Sequence, residues 1–255
     1  MKIFVVNLRR SHQRRNFMKS QLDRIRADYE IVEAIDGYEL SDEEIQNLCE
    51  DAALSKDPNW LSKGAIGCAL SHRKALEKLE ADNIRAATIL EDDVIIPDNL
   101  PDILQRLEDK WLKDEVIMLH WSSWIDQPFT RESGEEAGHG YVLARPTSVN
   151  YLRGTAGYII TADAAHKISR ANRPIRATSD SWDYFAAAHC FFKLRCLVPP
   201  VIGLTHAQSE MRRNSQSVLK NLKRYLENNI TLMQQISVSR RRKLFSRYTR
   251  YHFVD

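Results

Sequence analysis

Apolar and polar positions along the chain alternate between runs that suit strands and spacings that suit helices. Ile3-Phe4-Val5-Val6 is an unbroken apolar run, as expected of a strand buried on both faces of a parallel sheet. Met18, Leu22 and Ile25 then recur at spacings of four and three, which predicts a helix. Ile31 to Ile35 reads as a second strand, closed by the turn dipeptide Asp36-Gly37. Ser41 and Glu44 form a capping-box pattern that opens a helix through Ile45, Leu48 and Ala52. Ile66, Ala69, Leu70, Leu76 and Leu79 predict a helix over Gly64 to Glu80, and Ile84 to Leu90 a strand that runs into Glu91-Asp92-Asp93. Leu100 to Leu107 reads as a short helix and Val116 to Leu119 as a buried strand. Ser122 to Gly140, with three glycines and many polar groups, reads as a long functional loop. Thr155 to Thr161 is strand-like, Ala162 to Ala171 helical, and Leu197 to Ile202 a short strand interrupted by Pro199-Pro200. Strands alternating with helices predict an α/β domain with a largely parallel sheet.

Near Met211 to Gln216 the character changes. Val218, Leu222, Leu226, Met233 and Ile236 stand near helical spacing and predict one long helix. The expected division is therefore a domain over 1–216 and a basic, amphipathic helical tail over 217–255. Charge sharpens that division. The net charge is +3, but the segment from Arg212 onward carries +9, which leaves −6 on the body. An acidic body with a basic tail implies an anionic partner for the tail and argues against nucleic acid as the ligand. Leu244, Phe245, Tyr248 and Tyr251 among the arginines suit an anionic membrane surface, with packing on the body or on a second copy of the chain (a homodimer) as the alternative.

Composition adds only exclusions. The apolar fraction of 43% and charged fraction of 28% are those of a soluble globular protein. No apolar run approaches the ~18 residues of a membrane span, and Met1 to Leu8 lacks the apolar region of a signal peptide. A cytoplasmic protein is the expectation. The four cysteines, Cys49, Cys68, Cys190 and Cys196, are scattered and read as buried free thiols rather than a disulfide framework or a zinc site.

Candidate chemistry gathers at a few places. Glu91-Asp92-Asp93 follows a predicted central strand, at the end where open α/β sheets bind ligands. Carboxylates packed together repel unless a cation offsets them, and oxygen-rich sets suit Mg²⁺ or Mn²⁺; the bland alternative is a solvated acidic turn. Gly64 to His72 opens a helix whose free N–H groups suit an anion, although close packing through its glycines explains it as well, and His72 alone reads as a core or capping residue. Arg9, Arg10, Arg14 and Arg15 follow the first strand, where guanidinium groups bind phosphate or simply face solvent. Gly154-Thr155-Ala156-Gly157-Tyr158 permits close backbone approach or marks a bulge. Asp180-Ser181-Trp182-Asp183 joins acids to an aromatic platform suited to a sugar ring, or is an acidic helix start.

In this order, these segments resemble glycosyltransferase family 25, the lipooligosaccharide-biosynthesis glycosyltransferases. The resemblance rests on Val6-Asn7-Leu8 with Arg10 and Arg14, Ala34-Ile35-Asp36-Gly37, Gly64 to His72, Ile89 to Val94, and Gly154 to Tyr158. It covers roughly Met1 to Ser217. It implies a GT-A type, Rossmann-like nucleotide-sugar-binding domain and inverting transfer of galactose, or less often glucose, from a UDP-sugar to a bacterial lipooligosaccharide or lipopolysaccharide acceptor. With the missing signal-peptide and span patterns and the basic tail, the expected location is the cytoplasm, with peripheral attachment to the inner face of the bacterial inner membrane as the tail's contribution. By position, Asn7, Arg10, Arg14, Asp36, Ser71, His72, Glu91, Asp92, Gly154 and Thr155 would serve the nucleotide-sugar. Asp93 and Glu91 resemble the metal-binding acidic motif for Mn²⁺ or Mg²⁺, with His206 or Gln208 as a further ligand. Asp180 is the implied base and Asp183 its rival. Glu-Asp-Asp departs from the Asp-x-Asp of most metal-dependent GT-A enzymes. A non-catalytic nucleotide-sugar-binding protein of the same fold is the alternative of a different class.

Overall fold

A computed structural model describes residues 1–54, 61–108, 110, 113–123, 125–205 and 250–254, with backbone alone for 131–134. The chain starts with β1 (Lys2–Leu8), α1 (His12–Arg24) and β2 (Tyr29–Ala34), followed by α2 (Asp42–Leu48), α3 (Asp51–Leu54) and the long α4 (Lys63–Ala81). Next come β3 (Ala86–Glu91), β4 (Val94–Ile95), α5 (Leu100–Glu108), β5 (Glu115–Met118) and β6 (Ser122–Ser123). β7 (Gln127–Gly138), β8 (Tyr141–Pro146), β9 (Leu152–Arg153) and β10 (Gly157–Thr161) lead into α6 (Ala162–Ala171) and α7 (Trp182–Ala187). β11 (Lys193–Val198), β12 (Gly203–Leu204) and β13 (Tyr251–Val254) complete the described elements.

Nine strands form one sheet in the order β13-β7-β8-β11-β5-β10-β3-β1-β2. Alternation along the central strands divides the core between the two faces. Phe4 and Val6 of β1 face Ala75, Leu76 and Leu79 of α4 with Ala165 and Ile168 of α6. Ile3 and Val5 face Met18 and Leu22 of α1 with Ile103, Leu104 and Leu107 of α5. Both faces are thus covered by helices, which is why β1 reads as a continuous apolar run. A third, smaller cluster joins Ile45, Ala53, Ile66, Leu70 and Ile175 beneath α2 and α3.

The sheet is mixed, not largely parallel. β1 runs parallel to β2 and β3, but β10 lies antiparallel between β3 and β5. An antiparallel strand buried on both sides carries the same apolar pattern as a parallel one, so direction is not written in the pattern.

Three further expectations are corrected. Ser122 to Gly140 is not a loop: β7 pairs antiparallel with β8, and its turn is made at Gly138, His139 and Gly140, all with positive φ. Its polar residues Glu135 and Glu136 are exposed while Ala137 is buried, so the loop-like composition is that of a half-solvated hairpin. The strand expected over Leu197 to Ile202 is Lys193–Val198 and stops at Pro199, which has no N–H for the ladder. The last described residues form a strand, not a helix: β13 runs parallel to β7, and Tyr251 packs edge-on against Trp121 and Phe129. The rest of the expected helical tail, with His206 and Gln208, lies outside the described residues.

One buried ion pair ties the centre of the sheet to its β7–β8 side. Arg195 of β11 is 1% exposed and donates from Nε to Glu115 Oε1 of β5 at 2.5 Å. It also donates to Glu135 at 2.9 Å and to the Lys110 carbonyl at 2.7 Å, so the buried guanidinium is paired on several sides.

Candidate active site

The ends of β1, β2, β3 and β5 and the start of β10 share one edge of the sheet, and a cleft of about 640 Å³ opens there. Close glycine contacts shape one wall. A β-carbon on Gly67 of α4 would lie 2.5 Å from the Gly37 nitrogen and 2.7 Å from the Ile35 carbonyl. Only glycine lets α4 approach the end of β2 this closely. Ser71 fastens the same junction, accepting from the Ile35 N–H at 2.8 Å and donating to the Gly67 carbonyl at 2.6 Å. The Ser62 hydroxyl caps α4 by accepting from the Ala65 N–H, and Gly64 and Ala65 of the first turn line the cleft at the helix's positive end.

The carboxylates are held in different ways. Asp92 is buried and accepts from Asn7 Nδ2 at 2.7 Å and Arg14 Nη1 at 2.9 Å. Asn7 is itself buried and accepts from Arg15 Nε at 2.8 Å, so it positions Asp92 from behind the cleft wall. Arg10 pairs with Asp36, whose other oxygen accepts from the Tyr38 N–H. Glu91 accepts from the Thr155 hydroxyl at 2.6 Å and faces His72 Nε2 at 3.5 Å. Burial opposes ionisation of Glu91, yet His72, Thr155 and His120 outweigh it and hold the carboxyl below its usual range. Burial likewise opposes a charge on His72, yet Tyr158, Cys68 and Glu91 hold its imidazole well above the histidine range. The two make a buried, mutually stabilised pair.

Asp93 is the exception. Burial raises its pKa, and Glu91 and Asp92 raise it further against the opposing pull of Arg14 at 3.6 Å, so it reaches about 7. Its Oδ1 is buried without a hydrogen-bond partner. A carboxylate oxygen left without a donor beside two other acids fits Mn²⁺ or Mg²⁺, whose charge would offset the repulsion. His206, the further expected ligand, lies outside the described residues.

Across the cleft, Gly154 has φ +99° and donates its N–H to Asp180 Oδ2 at 3.2 Å. Thr178 donates to Asp180 Oδ1 at 2.8 Å, and Trp182 Nε1 donates to the Gly154 carbonyl at 3.1 Å. Asp180 lines the cleft, whereas Asp183 lies outside its wall, 3.5 Å from Arg153 Nη1. Trp182 is 1% exposed, so it supports the site from the core and offers no platform to a sugar. Arg10, Arg14, Asp36, Ser71, His72, Glu91, Asp92, Asp93, Gly154, Thr155 and Asp180 all border the one cleft.

Several cleft residues escaped the sequence reading, Thr178 beside Asp180 and His120 among them. His120 follows β5, donates from Nδ1 to the Ile202 carbonyl at 2.9 Å, and has its pKa lowered by burial. Its signal was a polar residue ending a buried apolar run. All four cysteines are free thiols, but Cys68 is only partly buried and borders the cleft, unlike the other three.

A helix-covered α/β sheet with an acidic cleft at this edge is the arrangement of a Rossmann-like glycosyltransferase fold. The family model for glycosyltransferase family 25 (LPS biosynthesis protein) matches residues 1–182, and the chain belongs to that family. A glycosyltransferase 25 family member of Aedes aegypti is 30% identical over 65% of this chain and 27% of its own length. Human procollagen galactosyltransferase 2 is 29% identical over 67% of this chain and 27% of its own length. A human relative named inactive glycosyltransferase 25 family member 3 is 30% identical over 68% of this chain and 29% of its own length. The chain thus spans less than a third of the length of these relatives. Among the described residues, no helix is long and apolar enough to cross a membrane.

Proposed function

We propose that the chain is an inverting glycosyltransferase that moves a hexose, galactose first and glucose next, from a UDP-sugar to a lipooligosaccharide-type acceptor. The observation that carries this reading is the meeting of Asp180, Glu91-Asp92-Asp93, Arg10 and Arg14 around one cleft. The galactosyltransferase name of one relative and the LPS-biosynthesis description of the family support the choice of sugar and acceptor.

In this mechanism Asp180 accepts the proton of the acceptor hydroxyl. The acceptor oxygen bonds to the anomeric carbon on the face opposite the nucleotide, while the carbon–oxygen bond to UDP breaks and its electron pair leaves with the diphosphate. Gly154 N–H and Thr178 Oγ1 fix the two oxygens of Asp180, leaving its remaining lone pairs for the hydroxyl. Arg14 and the first turn of α4 face the departing charge. Mn²⁺ or Mg²⁺ held by Asp93 would neutralise diphosphate charge as a Lewis acid. Asp180→Asn should lose transfer by about 10²–10⁴-fold while UDP binding, followed by calorimetry, stays intact. Asp183→Asn should remain near wild type. Normal turnover in folded Asp180→Asn contradicts the assigned base.

A second reading is favoured by a specific observation. The relative named inactive is as similar to this chain as the one named a galactosyltransferase. A non-catalytic nucleotide-sugar-binding protein would bind UDP and turn over no donor. The presence of Glu91, Asp93 and Asp180 in the cleft supports the enzyme. The basic segment beyond Arg212 is the proposed contact with an anionic membrane surface, with a second copy of the chain as the alternative.

A further inference from the structure

We propose that Cys68, His72 and Glu91 form a binding site for a borderline-soft divalent cation of the Zn²⁺ class at the floor of the cleft. Cys68 and His72 stand four residues apart on α4 and so share one helix face, and the end of β3 brings Glu91 against them. Each offers one ligand atom, and the three atoms lie within 4.8 Å of one another. His72 Nε2 and Glu91 Oε1 are 3.5 Å apart, close to the ~3.4 Å between two ligands that each sit about 2.1 Å from a tetrahedral ion. The independent sign of a ligand is His72 itself. The residue is 4% exposed, and its buried Nε2 makes no hydrogen bond, only the 3.5 Å approach to Glu91 that a bound cation would bridge in place of a proton.

A supporting shell is already in place. His72 Nδ1 lies 3.0 Å from the Tyr158 hydroxyl, the outer contact that fixes a metal-binding imidazole's tautomer. The Ser179 hydroxyl is 3.1 Å from Cys68 Sγ, and Thr155 donates to Glu91 at 2.6 Å. All three ligands border the cleft, which leaves a fourth position facing it. A sulfur–nitrogen–oxygen donor set selects Zn²⁺ or Co²⁺, unlike the oxygen of Asp93. The inference rests on this side-chain geometry and not on the transfer reaction.

The test uses the full chain stripped with EDTA and titrated with Co²⁺, followed by the thiolate-to-cobalt charge-transfer band, with Zn²⁺ as competitor. The expected result is a band that saturates at a single equivalent, is displaced by Zn²⁺, and is lost in both Cys68→Ser and His72→Gln. Cys196→Ser, at a thiol buried in the sheet, should keep it, and Tyr158→Phe should weaken binding about 10–100-fold. No band, or a band that survives Cys68→Ser or disappears with Asp93→Asn alone, overturns the site. Manganese-dependent transfer by a protein that gives no band overturns it while leaving the transferase reading standing.

Discussion

Removing the charge of Asp93 should make the metal-free protein more stable at neutral pH. The folded chain holds this carboxyl at about 7, where the unfolded chain has an ordinary aspartate near 4. Between those values the folded state binds a proton that the unfolded state releases, so stability falls as pH rises through the window. The penalty is complete above pH 7. Three pKa units correspond to about 4 kcal/mol. Asp93 is 20% exposed and Arg14 lies within 3.6 Å, so about 2–4 kcal/mol is the working range. Asp93→Asn cannot ionise, and the gap between variant and wild type should grow from near zero at pH 4 to this range at pH 8. Urea denaturation in EDTA at pH 4, 6 and 8 measures it. Mn²⁺ added at pH 8 should stabilise the wild type and leave the variant unchanged. A variant less stable than the wild type at pH 8, or a gap that does not change with pH, would show that Asp93 is not a strained buried carboxylate.

The other predictions concern the cleft wall and the basic segment. Gly67→Ala gains about 0.5–1 kcal/mol of helix propensity but sets a β-carbon 2.5 Å from backbone, so a net loss of about 1–3 kcal/mol is expected in thermal or urea unfolding; an unchanged midpoint contradicts the close approach of α4 to β2. Replacing Arg240, Arg241, Arg242 and Lys243 with glutamine keeps β13 intact and should abolish flotation with anionic liposomes at low salt. Unchanged flotation sinks the membrane proposal.

Much of the fold was legible because both faces of the sheet are covered. Ile3 to Val6, the Met18–Leu22 spacing and the Ser41–Glu44 capping box each have a local physical signature and each opens the element expected there, but the capped helix stops at Leu48, where Cys49 turns extended, and Ala52 falls in the separate α3. What local pattern cannot encode is direction and long-range pairing. β10 carries the same apolar residues whichever way it runs, and Tyr251 joins β7 across more than a hundred residues of chain. At the site, Glu91-Asp92-Asp93 was visible as charge at a strand end. The division of labour among the three was not, because it depends on Asn7, Arg14 and Thr155 arriving from other elements. Cys68 read as one more buried thiol, since nothing in its neighbourhood along the chain shows that Glu91 packs against it.

The central claim is tested most directly by UDP release from a panel of UDP-sugars, using a lactose- or glucose-terminated acceptor, with Mn²⁺ and with EDTA. Selective turnover of UDP-galactose that requires the acceptor and is removed by EDTA is the expected result. A protein that binds UDP yet turns over none of the donors, with any acceptor in the panel, would contradict it and favour the non-catalytic reading.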